Sequence, residues 1–364
     1  MKKSTGENLR IKRDYFHYLK HARGQTAQAV DAAAKAIDRF ESSNGQKPFK
    51  AFRDKQAMAF KDRLALQIGV RSKEPLSAAT VYATLSALKA FFRWLAEEPI
   101  YGTKIIKSHA DFFSPSGKHA AIAKAKRQTP VPTLEHIRAV LCAMPHATDI
   151  EKRDRALIAF TILTGARDSA IASMRLGDVD LAEGKVEQDA RHVQTKFSKS
   201  FTTFFFPVGD DIRVIVEEWV HFLLNERAFG PGDALFPKTY VAVGATRQFE
   251  AVGLKRQGWS NATRIRLVFK DAFKLAGLRY FNPHSFRNTL VRLGQQTCET
   301  PEAFKAWSQN LGHDQVMTTL SSYGHVETRR QGELIRDLGM PKSESAELIA
   351  IGRAARAAMQ PKGL

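Results

Sequence analysis

The feature that most constrains this chain is a series of polar motifs in its last quarter. In order, these motifs are Pro283-His284-Ser-Phe-Arg287, Leu311-Gly-His313 and Tyr323-Gly-His325. Arginine holds phosphate oxygens with a planar fork of donors. Histidine moves protons near neutral pH, and a tyrosine hydroxyl can attack phosphorus to form a covalent ester. The series therefore predicts a site for a phosphodiester, with Tyr323 as the nucleophile.

The charge of the chain indicates what kind of partner carries that phosphodiester. The 364 residues are enough for two domains, and the net charge is +19. Residues 1–130 hold 25 Lys and Arg against 11 Asp and Glu, a surplus of 14. A surplus of this size favours a nucleic acid or an anionic surface as partner. We expect the first third of the chain to supply the main electrostatic contact with this partner.

Other features of the composition narrow the class of protein. No apolar run is long enough for a membrane helix, and no apolar segment follows the basic N-terminus, so we expect neither a membrane partner nor secretion. The two cysteines, Cys142 and Cys298, suit a reducing cytosol, where the protein would associate with the nucleoid. The histidines at 284, 313 and 325 lack carboxylate or thiolate companions at metal-site spacing, so we expect no metal and no cofactor.

The first third is expected to be helical. Residues 1–24 form a basic arm or a short helix, and residues 25–113 a helical DNA-binding domain with helices at 26–41, 50–67 and 77–96. On the last helix, a face separate from the apolar one carries three short hydroxyl side chains that suit phosphate oxygens, those of Ser77, Thr80 and Thr84. A solvated polar face explains the same hydroxyls.

Residues 114–131 have the composition of a linker. Proline and glycine interrupt regular structure there, and three cations follow in four positions, at Lys124, Lys126 and Arg127. These cations either lie along a DNA backbone or belong to a solvated connector.

Residues 132–338 are expected to form the larger domain, mainly helical with a small antiparallel sheet. Amphipathic helices are predicted at 133–144 and 151–164, and a period of two replaces the helical pattern at 185–206. Lys196 lies in a turn of that sheet. Helices are then predicted at 210–226, 261–276, 284–296, 301–310, 315–323 and 326–337. An Ala-rich tail helix at 339–364 could pack on a neighbouring subunit.

Phosphodiester exchange without a metal requires neutralised charge on the phosphate, a nucleophile held in line and a proton for the departing oxygen. Tyr323 would be the nucleophile. Arg167 and Arg287 would neutralise the charge that develops on the phosphate oxygens. Lys196 would protonate the departing 5′ oxygen, although Lys199 competes for that role. His284 and His313 would hydrogen-bond the phosphate or move the tyrosine proton.

These residues resemble those of the tyrosine recombinases, or phage-type integrases. The matching pieces are Leu163-Thr-Gly-Ala-Arg167, Gln194-Thr-Lys196, Pro283-His284-Ser-Phe-Arg287, Leu311-Gly-His313 and Tyr323-Gly-His325, in the family's order. The resemblance implies a helical core-binding domain joined to a catalytic domain of the DNA breaking-rejoining type. It also implies a 3′-phosphotyrosyl intermediate and four protomers on two duplexes, with accessory DNA-bending proteins as further partners. The catalytic residues it implies are Arg167, Lys196, His284, Arg287, His313 and Tyr323.

One position departs from the family pattern. The family usually has an acidic residue three positions after its first arginine, where this chain has Ala170, and the nearest acid is Asp168. Three rival functions remain open at this stage. They are a type IB topoisomerase, a transposase of the same superfamily, and a catalytically silent DNA-binding regulator.

Overall fold

The computed structural model describes residues 6–69, 73–101, 105–115, 117–124, 130–243 and 247–313. The chain forms two compact units that divide between Lys126 and Arg127. Within the described ranges, no helix is both long enough and apolar enough to cross a lipid bilayer.

The first unit consists of helices around an aromatic core. Its α-helices are α1 (Gly6–His17), α2 (Ala27–Ser43), α3 (Asp54–Ala65), α4 (Ala78–Glu97) and α5 (Gly117–Lys124). Phe52 stacks on Phe92 of α4 with 3.8 Å between ring centroids, and Phe40 meets Phe92 edge-on at 5.2 Å. Such ring pairs add to the stabilisation from buried apolar area. The fully buried Phe92 therefore joins α4 to α2 and to the segment before α3.

Two segments of this unit are more ordered than their composition indicates. Helix α1 lies within residues 1–24, and its Ile11 and Tyr15 are buried in the core, so residues 6–17 pack as a helix. Residues 114–131, which the sequence marks as a linker, contain α5. The prolines and glycine that suggested a break lie before and after that short helix or at its first residue.

The second unit combines helices with two antiparallel sheets. Its α-helices are α6 (Leu134–Ala143), α7 (Asp149–Thr164), α8 (Asp168–Ser173), α9 (Asp210–His221), α10 (Thr263–Leu275), α11 (Pro283–Thr297) and α12 (Pro301–Asn310). Its strands are β1 (Val179–Asp180), β2 (Lys185–Gln188), β3 (Phe201–Phe204), β4 (Thr239–Val243) and β5 (Phe249–Leu254). The mainly helical fold with a small antiparallel sheet is confirmed.

Helix α7 is the centre of this unit. Every residue from Ala156 to Thr164 is buried, so the second half of the helix has no exposed face. A helix buried on all sides must be covered by other elements on every face. This arrangement fixes the position of its C-terminal end, from which the candidate site begins.

The two sheets differ in how well the sequence predicts them. The strands β1, β2 and β3 pair in that order, and β2 is paired with β3 from Lys185 opposite Phe204 to Gln188 opposite Phe201. The hairpin of β4 and β5 was not predicted. Its pairing is interrupted by an irregularity between Tyr240 and Val241, and apolar side chains such as Phe249 are exposed, so it lacks a clear alternation.

Candidate active site

The turn that follows α7 places the first arginine. Gly165 ends the helix in the left-handed conformation, with φ of +60°. A Cβ atom on Gly165 would lie 2.9 Å from side-chain atoms of Leu290 and Leu311, so only glycine fits this close packing. Two residues later, Arg167 occupies the N-cap position of α8. Partial burial lowers the pKa of Arg167.

Arg287 lies at the centre of the candidate site. It projects from α11 and is only 4 % exposed. Its guanidinium donates to the carbonyl oxygens of Gly165 and Leu311, the latter at 2.5 Å, and to Nε2 of His313 at 3.1 Å. The two carbonyl oxygens are neutral. The ring of His313 also accepts through an uncharged nitrogen, because a nitrogen that accepts a hydrogen bond carries no proton. Among the described residues, no carboxylate forms an ion pair with this buried cation, which leaves it suited to an anionic ligand.

The positive charge of Arg167 acts on Arg287. Burial lowers the pKa of Arg287 to about 9, and the nearby positive charge of Arg167 contributes to that shift. Arg287 is therefore still a cation at pH 7, although its hydration has been lost. A phosphate bound between the two guanidinium groups would relieve this unfavourable state.

His313 follows α12 and is held in a defined tautomer. Arginine has only donors, so Nε2 of His313 must accept the hydrogen bond from Arg287, and Nδ1 then carries the proton of the neutral ring. The backbone of the same turn is fixed as well, because the amide of His313 donates to Ser308 at 3.2 Å.

Asn310 joins this turn to the sheet, a role that the sequence did not predict. Its side-chain amide accepts from the backbone nitrogen of Phe204 at 2.7 Å and donates to the Phe204 carbonyl at 2.9 Å. The backbone carbonyl of Asn310 also accepts from the hydroxyl of Thr203 at 3.2 Å. The side chain thus pairs with an edge of β3 as a further strand would, and it sets the position of Leu311 and His313.

Lys196 lies on the loop between β2 and β3, and helix α8 holds that loop. Ser169 donates to the carbonyl of Gln194 at 3.2 Å, and the amide of Gln194 donates to Ser173 at 2.8 Å. Ser169 and Ser173 are four residues apart, on one face of α8. Because Arg167 caps the same helix, these bonds tie the lysine loop to the first arginine. The sequence analysis did not predict this link.

His284 begins α11 beside the arginines. The cap is well defined, since Asn282 accepts from the amide of Ser285 at 3.1 Å and Pro283 occupies the first turn. Loss of hydration lowers the pKa of His284, and the charges of Arg287, Arg167 and Lys196 lower it further, against an opposing effect of Asp168. The ring is therefore neutral at pH 7 and can accept a proton.

Asp168 is an acidic residue whose charge acts on His284. It accepts from Nε of Arg266 on α10 at 2.8 Å and from the amide of Ser169 at 2.9 Å. Ala170, where the sequence departs from the family pattern, is 1 % exposed and belongs to the core. Asp168 is thus paired with an arginine outside the predicted set, and its charge still reaches His284.

The structure thus brings five of the six predicted catalytic residues together. A hydrogen bond links Arg287 to His313. The charges of Arg287, Arg167 and Lys196 lower the pKa of His284, and the charge of Arg167 lowers that of Arg287. The sixth, Tyr323, lies outside the described residues. No group of three His, Cys, Asp or Glu side chains that could hold a metal ion occurs in the part of the chain that the structure describes.

The predicted DNA-contacting residues of the first unit differ in whether their hydroxyl groups are exposed to a ligand. Ser77 caps α4 and accepts from the amide of Thr80 at 3.2 Å, and both side chains are exposed. Thr84 is buried, donates to the Thr80 carbonyl at 2.8 Å and accepts from Arg39 at 3.0 Å. Its hydroxyl is therefore already engaged within the unit, and the polar group beside it is the guanidinium of Arg39.

The predicted linker cations give less information. Lys124 is the last residue of α5. Lys126 and Arg127 lie outside the described residues.

Comparison with known proteins identifies the family to which the chain belongs. The model of the phage integrase family matches residues 133–330. Tyrosine recombinase XerC of Xylella fastidiosa strain 9a5c is 24 % identical over 322 residues, which cover 87 % of this chain and 92 % of that protein.

Solved structures show the same fold at low sequence identity. A lambda integrase dimer bound to a COC′ core site has a TM-score of 0.59 and 16 % identity, covering 86 % of this chain and 76 % of that one. A lambda integrase tetramer bound to a Holliday junction has a TM-score of 0.56 and 16 % identity, covering 88 % and 79 %. The family match and the tyrosine recombinase relatives define the class of this protein as a tyrosine-type site-specific DNA recombinase. The chain belongs to the phage integrase family of tyrosine recombinases.

Proposed function

We propose that this protein is a site-specific DNA recombinase that cuts and rejoins DNA through a 3′-phosphotyrosyl intermediate. The observation that carries the proposal is the buried Arg287, which retains its charge beside Arg167 without a carboxylate partner among the described residues. This pair would bind two non-bridging oxygens of one phosphodiester. Such binding stabilises the extra charge of the transition state more than that of the ground state.

The remaining residues supply the nucleophile and the proton transfers. In the proposed step, the Tyr323 oxygen attacks phosphorus while the bond to the 5′ oxygen breaks. His284, neutral at pH 7, accepts the phenol proton, and Lys196 donates a proton to the departing 5′ oxygen. His313 hydrogen-bonds the phosphate through its Nδ1–H.

Rejoining is the same step in reverse. A 5′ hydroxyl from the partner duplex attacks the phosphotyrosine, and the tyrosine leaves with the proton returned to it. The ester conserves the energy of the broken bond, so the reaction needs neither a nucleotide cofactor nor an external oxidant.

The partners of the proposed reaction are two double-stranded DNA sites and further copies of this chain. Support for a tetramer comes from the lambda integrase tetramer on a Holliday junction, whose fold this chain shares. The basic surplus of residues 1–130 would supply the electrostatic grip, with Ser77 and Thr80 near the backbone and Lys124, Lys126 and Arg127 along it. We place the reaction in the cytoplasm at the nucleoid, with accessory DNA-bending proteins as further partners.

The test is to trap the intermediate. Lightly nicked genomic DNA from the source organism is incubated with the protein, and DNA that stays bound after denaturation is sequenced. A nick just downstream of the cleavage point lets the short fragment that carries the free 5′ hydroxyl diffuse away, so rejoining fails and the adduct accumulates. We expect wild type to recover one recurring sequence and Tyr323→Phe to recover none.

The sequence offers a matched control for this experiment. Tyr240, Tyr280 and Tyr323 are the tyrosines beyond residue 127. Tyr280 is 42 % exposed. Loss of hydration raises its pKa, and the charges of Arg266 and Asp168 also act on it, so it lies near the candidate site. The Tyr280→Phe variant should form the adduct as wild type does. Loss of the adduct in Tyr280→Phe, with adduct retained in Tyr323→Phe, would assign the nucleophile to Tyr280.

A further inference from the structure

Phe197, next to Lys196, has an unusual position for a phenylalanine. Its side chain is 85 % exposed at the tip of the loop between β2 and β3. Its backbone has φ of +61°, and that of Ser198 has φ of +51°. The left-handed conformation is unfavourable for a bulky residue, and two such residues in succession are costly. Neither the exposure of the Phe197 ring nor the left-handed backbone at Phe197 and Ser198 stabilises the protein in the absence of a ligand.

Hydrogen bonds fix both ends of the loop, so its exposed tip has a defined position. Ser169 and Ser173 of α8 fix Gln194. At the other end of the loop, Ser200 accepts from the amide of Ala190 at 2.9 Å. Between these anchors, the hydroxyl oxygen of Thr195 is buried without a hydrogen-bond partner in the described part of the chain. Strain and an unpaired polar atom beside exposed groups are typical of a ligand-binding segment.

The surroundings of the ring select the kind of ligand. The Lys196 nitrogen lies 4.8 Å from the centroid of the Phe197 ring. The charges near this loop are mainly positive. Those of Arg287, Arg167 and Lys196 lower the pKa of His284, and only that of Asp168 raises it. An anionic ligand with flat apolar parts meets both demands, and nucleic acid is such a ligand.

We propose that Phe197 wedges its ring against the base step that adjoins the scissile phosphate. The inference rests on the proposed function, in which Lys196 reaches that phosphate. Successive base pairs are about 3.4 Å apart. A ring 4.8 Å from the lysine nitrogen therefore lies within about two base steps of the bond that breaks. Apolar wedges of this kind partly unstack a step and bend the duplex.

The test uses a duplex with the sequence recovered from wild-type adducts, carrying 2-aminopurine next to the cleavage point. The fluorescence of this base rises when it loses a stacked neighbour. Binding is measured with Tyr323→Phe protein, which separates the contact from the chemistry. We expect a fluorescence rise that is lost in the Phe197→Asn double variant and kept in Phe197→Tyr. With Tyr323 intact, Phe197→Asn should form the adduct on the order of ten-fold more slowly.

Asparagine is chosen because it tolerates the left-handed conformation while removing the ring. A loss in Phe197→Asn therefore reports the ring and not the backbone of the loop. Phe249→Ala is the matched control, since Phe249 is 81 % exposed on the β4–β5 hairpin. That variant should retain both the fluorescence rise and the rate.

The outcomes separate the two proposals. If wild type forms no adduct, the proposed function fails and this inference fails with it. If wild type forms the adduct and Phe197→Asn matches it in rate and fluorescence, only the inference is overturned. If Phe197→Asn keeps the fluorescence rise but places fewer protein copies on the duplex in a native gel, the ring contacts a second copy, which also overturns the inference.

Discussion

Arg287 donates a hydrogen bond of 3.1 Å to Nε2 of His313. The same guanidinium donates to the carbonyls of Gly165 and Leu311, so one buried side chain joins the turn after α7 to the turn after α12. The residue that would hold the phosphate therefore also holds the rest of the site in position. Chemistry and stability are coupled at this side chain.

Replacing Arg287 with lysine tests that coupling. Lysine keeps the charge but has no planar fork, so it cannot serve both carbonyls, His313 and a phosphate at once. We expect adduct formation to fall by about 10²- to 10³-fold, the effect of losing one preorganised charge-stabilising donor. Denaturant unfolding should show a loss of about 1–3 kcal/mol from the unpaired buried carbonyls. An Arg287→Lys variant with wild-type cleavage would contradict the role given to this residue.

Asn310 offers a test of how the His313 turn is positioned. Asn310→Asp keeps the size but places a carboxylate oxygen against the Phe204 carbonyl, where the amide now donates at 2.9 Å. We expect a loss of about 1–3 kcal/mol in unfolding free energy, together with slower adduct formation. Asn310→Ala should be similar or milder. If Asn310→Asp kept wild-type stability, the pairing with β3 would not be what holds this turn.

Gly165 and Gly277 form a matched pair for alanine substitution. Both have positive φ, of +60° and +67°, but only at Gly165 would a Cβ meet other side chains, at 2.9 Å. Gly277→Ala should cost about 1–2 kcal/mol for its backbone conformation alone. Gly165→Ala should cost a further 1–3 kcal/mol, roughly, from overpacking, and it should also slow cleavage because the turn to Arg167 shifts. Equal losses of stability would contradict the close packing at Gly165.

The dependence of cleavage on pH tests the environment of His284. Its pKa is lowered from 6.5, so the base form persists below that pH, and cleavage should decline only as pH falls through the lowered value. Asp168 acts to raise this pKa. Asp168→Asn should therefore move the acid limb of the rate profile to lower pH. A shift toward higher pH would contradict the charge arrangement.

The sequence predicted the parts of this protein whose signals are local. The helices predicted at 151–164 and 284–296 and the period of two at 185–206 each depend on neighbours in sequence, and the structure has α7, α11 and the strands β2 and β3 there. The mainly helical fold followed from such signals and from the family motifs.

The parts that were missed depend on contacts between distant residues. Asn310 pairs with Phe204 across 106 positions, and Ser169 with Gln194 across 25, so no local pattern reveals them. Thr84 looked available because its helical face is polar, yet Arg39 and neighbouring groups bury it. The hairpin of β4 and β5 escaped because its apolar residues are exposed instead of alternating with a buried face.

The most direct measurement of the central claim is the chemical identity of the link between protein and DNA. The trapped adduct is trimmed with nuclease and protease, and the peptides are analysed by mass spectrometry. The account predicts a nucleotide joined through its 3′ phosphate to the peptide that contains Tyr323. A nucleotide on any other residue, or a 5′ linkage, would contradict it.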